Sequence, residues 1–112
     1  MHLGTNDVFE SNDHASTIAE PREVVVALRA DNPTVVILWA LLIPTNNPAL
    51  SPGIDELNAL VQPVAIELNT TQSPLRIVDL NQGFDAAVMT YDDVHPNADG
   101  EAWMADRWLA AI

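Results

Sequence analysis

The chain has 112 residues, enough for one ordinary small domain, and 48% of them are hydrophobic. It carries 16 acidic residues against 4 basic ones, which gives a formal charge of −12 at pH 7. A surface of this sign repels phosphate backbones and anionic lipids, so we expect neither a nucleic-acid partner nor a membrane. Cysteine is absent, which excludes disulfides and thiolate chemistry, and these residues contain no recognisable signal peptide or membrane span.

The start of the chain predicts a strand end, a loop and a helix. Met1 to Asn6 is predicted to be the last part of a strand, and Thr5 to Asp13 is polar and loop-like. A helix is predicted over Ala15 to Ala30, with a start or restart at Pro21, because proline is tolerated in a first turn. Asp31-Asn32-Pro33 should end this helix, since the residue before a proline disfavours helical backbone.

The middle of the chain predicts a buried strand followed by a helix. Val35 to Ile43 is an unbroken apolar run that does not alternate, which is typical of a central parallel strand buried on both faces. Pro44 to Gly53 is predicted to be a loop. Ile54 to Leu68 has apolar residues at helical spacing, and Pro63 inside it should produce a bend or a break near Leu60.

The end of the chain predicts a second strand and a final helix. Pro74 to Leu80 is predicted to be a parallel strand, and Asn81 to Thr90 a loop. Asp99 is predicted to cap a helix from about Gly100 to Ile112. Its sheet-facing residues should be Ala102, Ala105, Leu109 and Ile112, with Trp103 and Trp108 also used in packing. Alternating strands and helices predict an α/β fold with a parallel sheet.

One short stretch has the residues of an acid–base pair. Asp92-Asp93-Val94-His95-Pro96 places an aspartate three residues ahead of a histidine. A carboxylate that accepts a hydrogen bond from one imidazole nitrogen fixes the tautomer and leaves the other nitrogen free as a general base. Pro96 restricts His95 to extended backbone, so the histidine should precede the last helix. The same pattern also fits a helix N-terminus that carries a surface histidine.

Three other polar residues each admit two interpretations. Asn6 could donate its amide to an oxygen on which charge develops, or its side chain could bond nearby backbone in a turn. Ser11 and Ser16 could supply a displaced nucleophile, or they could be exposed capping residues between a loop and a helix.

Carboxylates are numerous enough to suggest a metal site. Asp79 and Asp85 could pair with Asp92 or Asp93 around a cation. Dispersed carboxylates in an acidic chain are more often solvated. We therefore expect no metal and no cofactor.

Two motifs at opposite ends of the chain resemble those of a known superfamily. Gly4-Thr5-Asn6-Asp7 and Asp92-x-x-His95-Pro96 are similar to the third and fifth sequence blocks of the SGNH (GDSL-type) hydrolases. The text between them resembles the acetylxylan-esterase branch, carbohydrate esterase family three, at Ile43-Pro44, Val78-Asp79, Gly83-Phe84-Asp85 and Thr90-Tyr91-Asp92. The resemblance implies the three-layer α/β/α flavodoxin-like SGNH fold, with residues 1–112 as a single partial domain that spans blocks three to five.

The resemblance also assigns roles to three residues. It implies that Asn6 is an oxyanion donor, that His95 is the base and that Asp92 orients it. The family's Gly-Asp-Ser block, with the nucleophilic serine, and the glycine of its second block have no counterpart here. Met1 is therefore expected to mark a truncation. The implied function is Ser-His-Asp hydrolysis of small esters or acetylated carbohydrate, without a cofactor and in a secreted enzyme.

Two alternatives belong to other functional classes. The chain could be a non-catalytic fragment or assembly module of such an esterase. It could also be an acidic carbohydrate-binding module that uses Trp39, Tyr91 or Trp103 as stacking surfaces. A parallel sheet cut at a central strand exposes a backbone edge, so we expect either self-association or a complementing N-terminal segment rather than a well-folded monomer.

Overall fold

The computed structural model describes all 112 residues and contains five α-helices and two β-strands. Their order alternates as expected, although two short helices replace predicted loops. No helix combines the length and the apolar character needed to cross a bilayer. The elements are α1 (Thr5–Phe9), α2 (His14–Asp31), β1 (Ile37–Ala40), α3 (Ser51–Leu68), β2 (Leu75–Val78), α4 (Ala86–Met89) and α5 (Ala98–Ala111).

The sheet is parallel, which confirms the predicted α/β class. β1 and β2 pair in register from Ile37 opposite Leu75 to Ala40 opposite Val78. The predicted strand end at Met1 to Asn6 is not a regular strand. Met1 nevertheless lies along the other side of β1, since its ammonium group donates to the Leu38 carbonyl and the Ala40 N–H donates to the Met1 carbonyl at 2.8 Å.

Two hydrophobic clusters cover the two faces of the sheet. Ile37, Trp39 and Leu75 belong to the larger cluster, together with buried residues of α1, α2 and α3. Ala40 and Val78 belong to the smaller cluster, against which α5 packs. Successive residues of β1 therefore point into different clusters, which is why its sequence does not alternate between apolar and polar.

The strands are shorter than their apolar runs because side chains replace the ladder at one end. Leu41, Leu42 and Ile43 are buried but follow β1 as irregular backbone. The buried Asn58 accepts a hydrogen bond from the Leu42 N–H at 2.7 Å and donates to the Leu42 carbonyl at 3.0 Å. Asn81 also donates to that carbonyl, at 3.0 Å. These amides satisfy backbone groups that would be costly to bury unpaired.

Both internal prolines lie within continuous helices, which corrects two predictions. α2 starts at His14, where the Asp13 side chain caps it by accepting from the Ser16 N–H at 2.9 Å, so Pro21 does not begin a helix. α3 runs through Pro63 without the predicted break near Leu60. Pro63 is exposed, and the buried apolar face of α3 packs on the larger cluster. Tertiary packing thus outweighs the local cost of a proline.

α5 is rotated relative to the prediction. Its cap is Asn97, not Asp99, because the Asn97 side chain accepts from the N–H groups of both Asp99 and Gly100 at 3.1 Å. The residues predicted to face the sheet (Ala102, Ala105, Leu109 and Ile112) are all exposed. The residues that pack on the smaller cluster are instead Trp103, Met104, Trp108 and Ala111, so the packing role of the two tryptophans is confirmed.

Candidate active site

The Asp92/His95 loop is closed at its neck by backbone pairing. Thr90 and Pro96 form an isolated antiparallel bridge, and the Tyr91 N–H donates to the His95 carbonyl at 3.1 Å. Asn97 continues the closure, since its amide donates to the Val88 carbonyl at 2.7 Å. The loop is therefore a short, locally paired hairpin between α4 and α5.

Inside this hairpin, one carboxylate has two functions. One oxygen of Asp92 accepts from the backbone N–H groups of His95 at 2.7 Å and Val94 at 3.2 Å. The other lies 2.7 Å from His95 Nδ1. An ionised carboxylate only accepts, so Nδ1 must carry the proton in this contact, and Nε2 makes no hydrogen bond within the chain. The arrangement has the form of an oriented imidazole base.

The hydrogen bonds to Asp92 change its acidity. The backbone N–H of His95 and, next, the His95 side chain hold the pKa of this carboxyl below its ordinary value. The lowered pKa means that the loop gains stability above the ordinary aspartate range and loses it as the pH falls through the lowered value. The carboxylate therefore stays ionised at mildly acidic pH.

The imidazole is held by few contacts. The His95 side chain is 64% exposed and that of Asp92 is 44% exposed. The Tyr91 ring stacks on the imidazole, with centroids 5.7 Å apart and planes 13° from parallel. Tyr91 itself is 71% exposed. The pair is thus formed at the surface and is not shielded from water by the residues of this chain.

The tip of the loop adopts left-handed backbone. Asp93 has φ of 69°, and its carbonyl accepts a hydrogen bond from Thr45 Oγ1 at 2.6 Å. A non-glycine residue in this region costs about 1–3 kcal/mol, and a hydrogen bond contributes about 1 kcal/mol. The two quantities are of similar size, so the Thr45 contact is large enough to help hold the tip in place.

A cleft of about 590 Å³ brings the two ends of the sequence together. Asn6 and His95 both line it, although they lie at opposite ends of the chain. Asn6 is exposed and its amide makes no hydrogen bond, so it is not engaged in the turn that the sequence also allowed. The lining residues are His2, Thr5, Asn6, Phe9, Ile43, Val94, His95, Pro96 and Met104.

Asn6 is placed by a helix that the sequence did not predict. α1 begins after Gly4, which has φ of 115°. A Cβ at Gly4 would lie 2.5 Å from Leu57 Cδ2 on α3. Gly4 therefore permits both the left-handed backbone and the close approach to α3. The polar composition of residues 5–13 favoured a loop, and the packing of Val8 into the larger cluster explains the helix instead.

No serine lines the cleft, where Thr5 is the only residue that bears a hydroxyl group. Ser11 has φ of 56° and follows α1, while Ser16 lies in the first turn of α2. The Ser16 N–H bonds the Asp13 cap. The structure thus places both serines at helix ends, outside the cleft that holds Asn6 and His95.

The candidate metal carboxylates are used in turns. Asp79 accepts from the backbone N–H groups of Asn81 and Gln82, both at 2.9 Å. Asp85 caps α4 by accepting from the Ala87 N–H at 3.0 Å. No three histidine, aspartate or glutamate side chains converge in the geometry of a metal site.

Two of the three candidate stacking residues are unsuitable. Trp39 is 1% exposed and lies in the larger cluster. Trp103 packs edge-on against Phe84, and the Arg107 guanidinium lies 4.5 Å from its ring centroid. Only Tyr91 presents an open aromatic face. The carbohydrate-module hypothesis thus loses two of its three binding residues, since Trp39 is buried and a cation covers Trp103.

Sequence reasoning missed two residues at the site. Thr45 reaches the tip of the Asp92/His95 loop from the segment after β1, and nothing in its local sequence marks it. His2 lines the cleft, and its buried Nε2 has no partner in the chain. Burial and the neighbouring N-terminal ammonium both lower the pKa of His2, so it is neutral at pH 7. The only feature of the sequence that marks His2 is its position just ahead of the Gly4 motif.

Comparisons with known proteins assign the chain to a family. The chain belongs to the GDSL-like lipase/acylhydrolase family, whose family model matches residues 1–103. No curated protein sequence matches the chain significantly. The family places the chain in an ester-hydrolase lineage, as the two end motifs predicted.

Two solved structures share the fold. A carbohydrate esterase of family 3 from Talaromyces cellulolyticus is 30% identical, with a TM-score of 0.86 over 96% of this chain and 52% of that chain. An acetyl esterase with a serine-to-alanine substitution, solved with an acetate ion, is also 30% identical, with a TM-score of 0.84 over 94% and 51%. The flavodoxin-like SGNH fold is thereby confirmed. The chain spans about half the length of these structures.

Proposed function

We propose that this chain carries the acid–base and oxyanion residues of an ester hydrolase. His95 would act as the general base, Asp92 would hold it in the Nδ1–H tautomer, and Asn6 would donate to the developing oxyanion. The observation that carries the proposal is the 2.7 Å contact between Asp92 and His95 Nδ1, at the edge of a cleft that Asn6 also lines. The family membership supports the same chemistry.

The reaction needs a nucleophile, which we assign to a serine on polypeptide outside these 112 residues. His95 Nε2 would take the serine proton as the oxygen attacks the ester carbonyl, and the imidazolium would return it to the departing alcohol. Water would then hydrolyse the acyl-serine by the same steps and release the carboxylic acid. The absence of a serine from the cleft and the double length of the matching esterases support this assignment.

The substrate class follows from the relatives. We propose acetyl esters, with acetylated carbohydrate favoured because one neighbour is a carbohydrate esterase and the other is an acetyl esterase. No metal or cofactor takes part in this mechanism. Polymeric carbohydrate is met outside cells, so we also propose an extracellular setting.

A groove beside the first residues is the proposed docking place of the nucleophile-bearing segment. This groove, of about 320 Å³, is lined by residues of the N-terminal segment, of α2 and α3, and by Trp39. Two buried nitrogens on its wall, Trp39 Nε1 and His2 Nε2, have no hydrogen-bond partner. Leu3 is 50% exposed, and its backbone makes no hydrogen bond. Unpaired buried groups next to an open backbone edge favour an added strand or loop.

Gel filtration and thermal melting of the purified chain test this docking. We expect either poor cooperativity on melting or an oligomer for the chain alone, and a single 1:1 complex once the serine-bearing segment is added. A monodisperse monomer with a high, cooperative melting transition would show that the groove needs no partner. Self-association in place of the 1:1 complex would assign the groove to a second copy.

The orienting role of Asp92 is tested by Asp92→Asn in the complex of the chain with its serine-bearing segment. The asparagine oxygen still accepts from the His95 and Val94 N–H groups, but an amide NH₂ facing Nδ1 favours the wrong tautomer. We expect kcat for p-nitrophenyl acetate to fall about 10³-fold with a smaller change in KM.

Asp79→Asn is the matched control for this change. Asp79 also accepts two backbone N–H groups, but it lies outside the cleft. It should retain activity within about twofold. Equal losses in the two variants would contradict an orienting role. Family-like activity of the 112 residues alone, sensitive to Asp92→Asn, would place the nucleophile within them. Inactivity even with the segment would favour the non-catalytic assembly module.

A further inference from the structure

We propose that Thr45 is a positioning residue for the Asp92–His95 pair, which it holds through the carbonyl group of Asp93. The hydroxyl of Thr45 donates to that carbonyl at 2.6 Å. The proposal rests on the proposed function only in so far as the pair is the acid–base unit. The contact itself is a property of the folded chain and is tested without catalysis.

Thr45 provides the only hydrogen bond between residues 92–95 and another part of the fold. The other hydrogen bonds of this segment stay within the hairpin: Tyr91 to His95 through the backbone, and the Asp92 carboxylate to Val94 and His95. The hairpin is paired at its neck but not at its tip. Beyond the pairing at the neck, the bond at the tip is thus the one hydrogen bond that ties the carboxylate and the imidazole to the segment after β1.

The donor is itself fixed. The Asn47 N–H donates to Thr45 Oγ1 at 3.1 Å, which occupies an oxygen lone pair and leaves the O–H free to point at Asp93. Asn47 accepts from the Ala49 N–H at 3.0 Å, so its own loop is folded back on itself. This loop follows directly from Leu42, which Asn58 ties to α3. The tip of the hairpin is thus connected to the core through a short series of satisfied polar contacts.

Releasing the bond should change the pair and not only the tip. Asp93 has left-handed backbone with φ of 69°, and it lies between the accepting Asp92 carboxylate and the donating N–H groups of Val94 and His95. Without a partner for its carbonyl, Asp93 is expected to return to negative φ, where aspartate is more stable. That rotation moves the Val94 and His95 N–H groups away from the Asp92 carboxylate. The Asp92–Nδ1 contact then loses its fixed geometry.

The test is the tautomer of His95, measured by long-range ¹H–¹⁵N NMR at pH 8 on the ¹⁵N-labelled 112-residue chain in complex with its unlabelled serine-bearing segment. In the wild type we expect the Nδ1–H form. Thr45→Val keeps the branched shape and removes the hydroxyl, and it should lower the ratio of Nδ1–H to Nε2–H tautomers about fivefold, the loss expected for one hydrogen bond. Thr45→Ser, which restores the hydroxyl, should return the ratio to that of the wild type.

Thr34→Val is the matched control. Thr34 is an exposed loop threonine whose hydroxyl bonds Asn32 at 3.0 Å, and it precedes β1 as Thr45 follows it. Its loss should leave the His95 tautomer ratio unchanged, while the amide spectra of both valine variants should report a folded chain. An unchanged ratio in Thr45→Val, an equal change in Thr34→Val, or no recovery in Thr45→Ser would each overturn the proposal.

The same variants separate this inference from the proposed function. If Thr45→Val shifts the tautomer ratio but the complex of the chain with its serine-bearing segment is inactive, the positioning role of Thr45 stands and the catalytic assignment is wrong. If that complex is active and Thr45→Val alters neither kcat nor the tautomer ratio, the catalytic assignment stands and the positioning role of Thr45 is wrong. Where both hold, kcat should fall about fivefold with KM unchanged, because only the alignment of the base is affected.

Discussion

His95→Ala should reduce ester hydrolysis about 10⁵-fold once the serine-bearing segment is present, leaving the residual rate that the oxyanion donors and substrate binding supply. No other imidazole is placed to replace it, because His14 pairs with Glu56 at 3.2 Å outside the cleft, and His2 lines the cleft with its Nε2 buried. The measurement is p-nitrophenyl acetate turnover, corrected for hydrolysis without protein. KM should change little, since the imidazole contributes to proton transfer more than to ground-state binding.

His14→Ala is the control for this prediction. It removes a histidine that also contacts a carboxylate, but on the surface between α2 and α3. We expect activity within about twofold of the wild type. If the two alanine variants lose activity equally, or if His95→Ala retains more than about a tenth of it, His95 is not the base.

Gly100→Ala should produce the largest loss of stability among single methyl additions. A Cβ at Gly100 would lie 2.2 Å from the Met89 carbonyl oxygen and 3.1 Å from Pro96 Cβ. The gain in helix propensity, about 1 kcal/mol, cannot offset a backbone clash that forces α5 away from α4. We expect a net destabilisation of about 2 kcal/mol and a melting temperature about 10 °C lower.

Glu101→Ala serves as the comparison, since Glu101 is the next residue of α5 and is exposed. Its effect on the free energy of unfolding should stay within about 0.5 kcal/mol. Thermal unfolding followed by circular dichroism measures both variants in complex with the serine-bearing segment. A melting temperature for Gly100→Ala equal to that of Glu101→Ala would contradict the close approach. The added methyl group would also press on Pro96, the neighbour of His95, so we expect the NMR resonances of His95 to shift in Gly100→Ala and not in Glu101→Ala.

The order of the main elements could be predicted from the sequence because each has a strong periodic or apolar signal. β1 lies in a run of apolar residues, β2 is apolar except at Arg76, and α3 has apolar residues at helical spacing. The errors lie where local signals compete with packing. Pro63 predicted a break that the buried face of α3 prevents, and residues 5–9 predicted a loop where Val8 is buried as part of a helix.

The error in α5 has a simple origin. The predicted face and the observed face of α5 both have helical spacing, so periodicity alone does not choose between them. Gly100, buried against the Met89 carbonyl, fixes the true rotation, and a glycine gives no hydrophobic signal. The sequence therefore did not decide whether Leu109 or Trp108 points inward.

The sequence predicted which residues form the candidate site better than it predicted how the fold brings them together. The three-residue spacing of Asp92 and His95 is enough to place one beside the other, because a single turn closes between them. The meeting of Asn6 with His95 depends on the whole fold, and only the resemblance to a family predicted it. Thr45 has no local signal at all. The role proposed for Thr45 depends on a hydrogen bond to a backbone carbonyl, which residue type alone does not specify.

The locality of the Asp92–His95 contact has a consequence for how the molecule loses activity. Hydrogen bonds among neighbouring residues of the hairpin position Asp92 and His95. The position of Asn6 depends instead on the packing of Gly4 and α1 against α3. Heating should therefore detach the N-terminal segment first and leave the hairpin formed. On the roles proposed for His95 and Asn6, such a state would keep the base and lose the oxyanion donor, so we expect inactivation to precede unfolding.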